Sequence, residues 1–197
     1  MQLICQAKPI ASQAVFICCT HFRYKHLRIT KAVDEGSSTA YFFQKESFFM
    51  KYTLRNCTYD DFELLFDLKR LCMKWYIEKI YGWDDEVQKT KTRNEMGRNI
   101  NDMKIIEVNG RGIGVTTFSK TDEYYRVGLI MIHPDYQNKG IGASIISDYI
   151  NTAKADGKRI IIKTYRENPA RRLYERLGFV PYEIDDTHVH LEMDFRK

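Results

Sequence analysis

The chain has 197 residues and a formal net charge of +5, with 44% hydrophobic and 29% charged residues. This composition is typical of a folded globular domain and argues against wholesale disorder. No apolar run approaches the roughly 20 residues that a transmembrane helix needs. The 31 basic and 26 acidic residues are interspersed, so we expect neither a nucleic-acid partner nor a membrane partner.

Cysteine usage indicates the cellular compartment. The chain has five cysteines, an odd number, and no Cys-x-x-Cys spacing. This pattern favours reduced thiols over a disulfide framework or a zinc site. We therefore expect a cytoplasmic protein that binds no metal.

Residues 1–49 differ from the rest of the chain. They hold six Lys/Arg and three Asp/Glu residues, and no helical or alternating pattern in them is long enough to define an element. We expect an irregular N-terminal extension, disordered or produced by a mis-set start, followed by one domain over residues 50–197. The regular pattern begins at Met50.

From Met50 onward, hydrophobic periodicity predicts the element order β-α-α-β-β-β-α-β-α-β-β. The first helix carries apolar residues at helical spacing, which predicts a buried stripe that includes Leu71 and Trp75. The predicted strands are 51–56, 104–108, 113–118, 124–132, 159–165, 179–184 and 188–195. The predicted helices are about 60–79, 84–100 and 169–177, with a further helix that opens within 137–142, includes Ile141 on its apolar face and ends before Asp156. The pattern as a whole predicts a mixed α/β fold with a largely antiparallel sheet.

The segment 124–132 is a nearly continuous apolar strand, of the kind usually buried on both faces. Pro134 ends this strand, and the loop that follows contains Gly140 and Gly142, where the backbone can approach a ligand closely. The loop leads into a helix whose first amides carry partial positive charge, and Lys139 adds a full charge. These features predict a diphosphate-binding cradle; the alternative is a tight strand-to-helix turn with a packing glycine. Neither a Rossmann nor a Walker motif is present.

Two motifs resemble one family. The spacing Gln137-x-x-Gly140-x-Gly142 resembles the Gln/Arg-x-x-Gly-x-Gly/Ala signature of the GNAT acetyltransferases. The segment Asn168–Phe179, which reads NPARRLYERLGF, is similar to a second conserved segment of that family, and the two motifs occur in the family's order. The resemblance covers about residues 50–197. It implies a three-layer α/β fold, with a mostly antiparallel twisted sheet splayed between its fourth and fifth strands and helices on both faces.

The resemblance also implies site residues. Backbone groups of Ile130, Met131 and Ile132 would pair with the pantetheine arm of acetyl-CoA, and Asn168 would bond to it. Tyr174 would be the catalytic acid that protonates the departing thiolate. The pyrophosphate would be held around the segment Gln137, Asn138, Lys139, Gly140, Ile141, Gly142 and Ala143.

Elementary chemistry agrees with these roles. A tyrosine of ordinary pKa, about 10, is neutral at pH 7 and can donate a proton; the alternative for Tyr174 is a ring that only packs on the core. Amides of Met131 or Ile132 would polarise the thioester carbonyl. The general base stays open among Glu123, His133 and ordered water. For His188 and His190, which share one strand face, we expect a structural or substrate-pocket role and not a metal.

The acceptor is expected over residues 70–100. Aromatic residues and acids there, from Trp75 to Glu86, suit a cationic amine; the alternative is that they serve the core and the next helix start. The sequence thus predicts an N-acetyltransferase, an acyltransferase that moves an acetyl group from acetyl-CoA to an amine by direct attack in a ternary complex. The alternatives are an acyl-CoA-binding sensor or interaction module without turnover, or an enzyme for protein N-termini or lysines instead of small molecules. A homodimer is left open.

Overall fold

The computed structural model of the protein describes residues 28–32, 40–44 and 50–196. The chain divides into two units, Met1–Phe48 and Phe49–Lys197. In the first unit, strand β1 (Arg28–Ala32) pairs antiparallel with strand β2 (Ala40–Gln44). Hydrophobic periodicity predicts neither strand, because five residues are too few to establish an alternation. The rest of the predicted irregular extension lies outside the described residues.

The second unit contains the eleven predicted elements in the predicted order. The strands are β3 (Thr53–Asn56), β4 (Met103–Val108), β5 (Arg111–Lys120), β6 (Tyr124–Ile132), β7 (Arg159–Tyr165), β8 (Val180–Ile184) and β9 (His188–Met193), and the helices are α1 (Phe62–Tyr81), α2 (Asp85–Asn99), α3 (Ile141–Ala155) and α4 (Ala170–Leu177). The strands form one seven-stranded sheet in the order β3-β4-β5-β6-β7-β9-β8. Only the β6–β7 pair is parallel. This confirms the predicted mixed α/β fold with a mostly antiparallel sheet.

Helices cover both faces of the sheet, and each face has its own apolar core. Ile105 and Ile106, which are neighbours on β4, belong to different cores, as strand alternation requires of opposite faces. The core on the α1 side includes Leu68 of α1 and Met96 of α2, and the core on the other side includes Ile145 of α3 together with Tyr174 of α4. Across the described ranges, no helix is both long enough and apolar enough to cross a membrane.

The buried stripe of α1 is shifted around the helix from the predicted one. Leu65, Leu68 and Ile77 are buried, but Leu71 is 52% and Trp75 58% exposed, so the prediction that the last two join the core is wrong. Lys69 is buried instead, because its ammonium pairs with a carboxylate of α2. Hydropathy alone does not anticipate a buried lysine, which is why the predicted stripe is displaced around the helix.

Strand β6 is packed on both faces only in part, because Arg126 and Gly128 are exposed, so the predicted burial on both faces holds for part of the strand. Its edge beside β7 is also only partly paired. Its parallel pairing with β7 runs only from Tyr124–Arg159 to Val127–Ile162, whereas β6 continues to Ile132. Residues 128–132 therefore border a gap on the side of β7. In the domain's own order, β6 and β7 are the fourth and fifth strands, so the predicted splay between them is confirmed.

A β-bulge at Gly128 lies where this splay begins. The register against β5 shifts between Thr117 and Phe118, leaving Gly128 as the extra residue. A Cβ at this position would lie 2.7 Å from the Thr117 Oγ1 atom, so a larger residue would force a shift. A bulge bends its strand and inverts the side-chain alternation. Accordingly Val127 packs in the α3-side core, whereas Met131 packs in the α1-side core.

Candidate active site

The open edge of β6 has a defined polarity. The His133 amide donates to the Ile113 carbonyl of β5 at 2.8 Å. Because alternate residues of a strand direct their amides and carbonyls to the same side, those of Met131 also face β5. The amides and carbonyls of Ile130 and Ile132 therefore face the gap beside β7. Of the two amides suggested for polarising a carbonyl, only that of Ile132 is on the gap side.

The Ile132 carbonyl already has partners. It accepts hydrogen bonds from the Gln137 Nε2 atom at 2.8 Å and from the Cys72 Sγ atom at 3.3 Å. Burial raises the pKa of the Cys72 thiol, so it stays protonated and able to donate. Gln137, a predicted coenzyme-binding residue, thus braces the end of β6. The Cys72 contact has no signal in the sequence.

The loop before α3 exposes the start of that helix. Asn138 and Gly140 have φ angles of +59° and +83°, in the left-handed region that favours glycine. Gly140 is the N-cap of the 15-residue helix and provides no side-chain acceptor, so the amides of the first turn lack a capping partner. Ile141 is buried and offers only its backbone, and Ala143 follows on the same first turn. The arrangement is suited to an anionic group.

Gly142 is the point where three elements meet. A Cβ added there would lie 3.5 Å from the Ile132 Cδ1 atom of β6 and 3.8 Å from the Leu173 Cδ2 atom of α4. Both are ordinary van der Waals distances, so a methyl group fits and a bulkier side chain would fill the space above the helix start. The structure thus brings together the strand edge, the glycine loop and the α4 segment.

Tyr174 follows Leu173 on α4 and is only 4% exposed. Its ring packs edge-on against Phe179, with 6.2 Å between the ring centroids. Burial raises the pKa of Tyr174 to about 12, so the phenol is protonated at neutral pH. The ring packing that the sequence analysis gave as an alternative is therefore present.

Asn168 joins the end of β7 to the start of α4. Its amide donates to the Tyr165 carbonyl at 3.0 Å, and its Oδ1 atom accepts from the Ala170 amide at 2.9 Å. The side-chain oxygen therefore satisfies the helix start. The Nδ2 atom takes no part in these bonds and could donate to a ligand.

A cavity of about 220 Å³ lies on the opposite face of the sheet. Its walls come from α1, α2 and the parts of β6 and β7 beside the gap, and they include Lys69, Tyr81, Gln88, Glu95, Met131 and Tyr165. We call it the α1–α2 pocket. Sequence reasoning placed the acceptor over this region and included Tyr81, but it did not single out Lys69, Gln88 and Glu95. The polar character of Lys69 and Gln88 gave no signal of their burial.

The other aromatic and acidic residues suggested for the acceptor have different surroundings. The Asp84 Oδ1 atom caps α2 by accepting from the Val87 amide at 2.8 Å, and the Asp85 carboxylate accepts from the Trp83 Nε1 atom at 2.6 Å. Tyr76 stacks on Tyr165 at 5.2 Å between ring centroids. The acids thus serve the start of α2, as the alternative interpretation expected.

The two named candidates for general base lie away from this pocket. Glu123 is exposed in the turn before β6, at the end of that nine-residue strand opposite to Ile132. The His133 Nδ1 atom accepts from the Asp135 amide at 3.3 Å, and its ring lines a separate cavity of about 450 Å³ beside α1 and β5. Neither side chain is among those that line the α1–α2 pocket.

His188 and His190 are both bound to Asp185. The Asp185 carboxylate accepts from the His188 amide at 2.6 Å and contacts the His190 Nε2 atom at 3.0 Å. These hydrogen bonds hold the pKa of Asp185 far below its ordinary value, and the one with His190 has the largest effect. The His188 ring also stacks on Tyr165 at 4.4 Å. Over the described part of the chain, no group of three or more His, Cys, Asp or Glu side chains is arranged to hold a metal ion.

Comparisons with known proteins agree with this geometry. The sequence profile of the acetyltransferase (GNAT) domain matches residues 101–181. An uncharacterized N-acetyltransferase of Methanocaldococcus jannaschii is 30% identical over 149 residues, which are 68% of this chain and 62% of that protein. This chain therefore spans less than two thirds of that relative.

Solved structures share the fold. The PaiA N-acetyltransferase of Thermoplasma acidophilum in complex with coenzyme A has a TM-score of 0.58 at 17% identity, covering 74% of this chain and 100% of that one. The ribosomal-protein-S18-alanine N-acetyltransferase of Escherichia coli has a TM-score of 0.54 at 16% identity, covering 75% of this chain and 96% of that one. These two likenesses show that the chain has the same fold. The profile match and the 30% identical relative show that the chain belongs to the GNAT acetyltransferase superfamily.

Proposed function

We propose that this protein transfers an acetyl group from acetyl-CoA to a primary amine by direct attack in a ternary complex. The observation that carries the proposal is the meeting at Gly142 of the open β6 edge, the α3 start and α4. A ligand with an extended arm and a diphosphate would find strand-like partners and uncapped helix amides in one continuous site. The pantetheine and pyrophosphate of coenzyme A have these features.

The coenzyme contacts follow from the polarity of the strand. The amide and carbonyl of Ile130 and the amide of Ile132 would pair with the pantetheine arm in the gap, since those of Met131 face β5. Gln137 would hold the strand end in position through its bond to the Ile132 carbonyl. The pyrophosphate would lie against the amides between Asn138 and Ala143, with the Lys139 charge close by.

The two faces of the sheet would supply the two substrates. The α3 start lies on one face and the α1–α2 pocket on the other, and both adjoin the gap between β6 and β7. An acetyl group in the gap would therefore be open to attack from the pocket. The amine nitrogen forms a bond to the carbonyl carbon, the carbon–sulfur bond breaks, and the amine loses a proton.

Tyr174 would protonate the departing thiolate. Its buried, protonated phenol belongs to the helix that reaches Gly142, and a donor is needed only as charge develops on sulfur. The Ile132 amide would stabilise the carbonyl oxygen in the same step. Because neither Glu123 nor His133 lines the pocket, we assign deprotonation of the amine to ordered water.

A screen for turnover tests this proposal. The protein is incubated with acetyl-CoA and a panel of small amines and peptides, and products are detected by mass spectrometry. We expect many turnovers on at least one primary amine and a loss of most activity in Tyr174→Phe. Tight coenzyme binding with no acetylated product from any acceptor would contradict the proposal and favour a sensor of acyl-CoA.

A further inference from the structure

The carboxamide of Gln88 is an unusual feature of the α1–α2 pocket. Gln88 is only 2% exposed, and its Oε1 atom is buried without a hydrogen-bond partner in the described part of the chain. The Nε2 atom also has no partner among the described residues, and it is the polar atom of this carboxamide that is accessible from the pocket. Buried polar groups are almost always paired, because an unpaired group loses its bonds to water and gains nothing in return. A bound molecule that offers an acceptor to the Nε2 atom would offset part of this cost.

Lys91 and Tyr165 add further donors to the pocket. Lys91 follows Gln88 by three residues on α2, a spacing that makes the two side chains neighbours on the helix surface. Its ammonium forms no ion pair within the described ranges, and it lines the pocket. Burial raises the pKa of the Tyr165 hydroxyl, with smaller contributions from Tyr81 and Glu95, so this phenol is protonated at neutral pH and can donate. The polar groups that a bound molecule can reach are therefore mostly donors.

The carboxylate in the pocket wall is already paired. The Lys69 Nζ atom contacts the Glu95 Oε2 atom at 3.3 Å and the Thr92 Oγ1 atom at 3.4 Å. Glu95 follows Gln88 on α2 by about 10 Å along the helix axis, so it is remote from the Gln88 carboxamide. Because the Lys69 and Glu95 charges offset each other, Lys91 gives the lining of the pocket a net positive charge.

The remaining walls limit the size and polarity of a bound molecule. Met73 and Ile77 of α1 and Leu129 and Met131 of β6 are apolar. The volume of about 220 Å³ is below the roughly 300–1,000 Å³ typical of drug-sized ligand sites. The pocket thus suits a short molecule with an apolar middle and an end that accepts hydrogen bonds and carries negative charge.

We propose that Gln88 and Lys91 are specificity-determining residues that select acceptor amines with a carboxylate at the far end of a short chain. This inference rests on the proposed amine acetylation. The Nε2 atom of Gln88 would donate to a carboxylate oxygen, and the Lys91 ammonium would pair with its charge, while the reacting amine lies toward the gap. An alkyl group in place of the carboxylate leaves the Nε2 atom unpaired, and a site built to hydrogen-bond a polar group discriminates strongly against analogues that lack it.

Pairs of probe amines with equal shape test this selection. The first pair is 3-aminopropanoate and 3-methylbutan-1-amine, and the second is 4-aminobutanoate and 4-methylpentan-1-amine. Within each pair the carboxylate is replaced by a branched alkyl group of the same heavy-atom count. For the full chain we expect kcat/KM to be about tenfold or more higher for the carboxylate probe in at least one pair. Acetylation of the alkyl probes at equal or higher kcat/KM in both pairs would overturn the inference while leaving the proposed acetylation intact.

Gln88→Met tests the contribution of the carboxamide. This nearly isosteric change removes both unpaired polar atoms, so the thermal midpoint should be no lower than that of the unaltered protein. The carboxylate probe should then be preferred by no more than about threefold over its alkyl partner. Asn94→Met is the matched control, because it removes an exposed carboxamide from the same helix outside the pocket, and it should keep the preference.

Lys91→Met tests the contribution of the charge. The substitution is at an exposed position, so folding should not change. The preference for the carboxylate probe should fall by about threefold or more, because the ammonium that pairs with the carboxylate is lost. Lys89→Met is the control, since Lys89 pairs with Glu86 and does not line the pocket. A full preference that survives in both Gln88→Met and Lys91→Met would overturn the assignment to these two residues.

Calorimetry separates this inference from the proposed function. The affinity of each probe is measured in the presence of coenzyme A, without any reaction. Tighter binding of a carboxylate probe than of its alkyl partner, lost in Gln88→Met, would support the inference even if no probe is acetylated, in which case the proposed function alone would fail. Binding of both carboxylate probes that is no tighter than that of their alkyl partners would contradict the inference.

Discussion

The two sides of the gap between β6 and β7 are built differently. On the α3 side, the site consists mainly of backbone: an open strand edge, two residues of positive φ and an uncapped helix start. On the α1–α2 side, it consists of side chains from two helices and two strands, with the Lys69–Glu95 ion pair and the Gln88 carboxamide among apolar walls. A site made of backbone groups can bind a ligand that is the same in many related reactions, because it does not depend on particular side chains. A site made of side chains can change its ligand specificity through single substitutions. We infer that the first side binds the coenzyme and the second chooses the acceptor.

The largest effect that bears on this division is expected from Tyr174→Phe. The change keeps the ring that packs on Phe179 and removes only the hydroxyl. Loss of a general acid typically costs about 10²–10⁴ in rate, equivalent to roughly 3–5 kcal/mol in the barrier. Steady-state kinetics should show the fall in kcat, with coenzyme affinity nearly unchanged.

Tyr149→Phe is the matched control for that experiment. It removes the hydroxyl of another tyrosine on the α3 side, one that bonds to the Thr116 Oγ1 atom at 3.4 Å. We expect the kcat of Tyr149→Phe to stay within about threefold of that of the unaltered protein. Protonation of the departing thiolate requires a hydroxyl at the thioester, and that role is proposed for Tyr174. A Tyr174→Phe rate as high as that of this control would remove the proton-donor role, provided that chemistry limits turnover.

The next largest effect should come from Gly142→Val, which tests the coenzyme side. A branched side chain would occupy the space over the α3 start, and coenzyme affinity should fall by more than about tenfold, or about 1.4 kcal/mol. Gly142→Ala is the control, because its Cβ meets Ile132 and Leu173 only at ordinary contact distances. Calorimetric titration with coenzyme A measures both. If the valine variant binds as tightly as the alanine variant, the pyrophosphate lies elsewhere.

A smaller effect, on stability alone, is expected from a substitution at the start of α1, the helix that supports the α1–α2 pocket. It should leave coenzyme binding unchanged. Asp61, at the start of α1, accepts two hydrogen bonds from the Arg55 guanidinium, at 2.6 and 2.8 Å. This contact lowers the pKa of Asp61, so the carboxylate contributes stability above its ordinary pKa of about 3.9, and the contribution disappears as the pH falls through the lowered value. Asp61→Asn should reduce the free energy of unfolding by about 1 kcal/mol near pH 7.

Denaturant unfolding at a series of pH values checks this expectation. The difference between Asp61→Asn and the unaltered protein should shrink below about pH 4, and coenzyme affinity near neutral pH should not change. Asp60→Asn, at the exposed neighbouring position, serves as the control with little effect on stability. A difference that persists at low pH would show that the ion pair is not its source.

The smallest effect is expected from removing residues 1–49. A chain that begins at Met50 retains both apolar cores of the Phe49–Lys197 unit. We therefore predict an unchanged thermal midpoint and a coenzyme affinity within about threefold of that of the full chain. Insolubility, or much weaker binding, would show that the removed segment supports the domain.

The sequence predicted the backbone features on the α3 side of the gap better than the side chains of the α1–α2 pocket, for a physical reason. Gly140, at positive φ, and Pro134, at the end of β6, are required by local backbone geometry, so their positions are visible in the sequence. The splay has a local cause as well, since a glycine within an apolar strand is a bulge signal. Gly128 could have predicted the position at which β6 separates from β7. The interpretation of this strand as buried along its whole length overlooked that signal.

The α1–α2 pocket depends on pairings that are distant in the sequence. Lys69 and Gln88 are ordinary polar helix residues until α1 and α2 pack together, and only then do they become buried. The same packing leaves Leu71 and Trp75 exposed. Hydropathy describes each helix alone, so it cannot identify a polar residue whose burial depends on a partner on another element.

The central claim is that coenzyme A lies in the gap as an added strand on β6, and site-resolved amide hydrogen exchange tests it most directly. Exchange is measured by NMR with and without coenzyme A. The amides of Ile130 and Ile132, which face the gap, should exchange more slowly when the coenzyme is bound. The Met131 amide, which faces β5, should change little. Unchanged exchange at both isoleucines under saturating coenzyme would contradict the account.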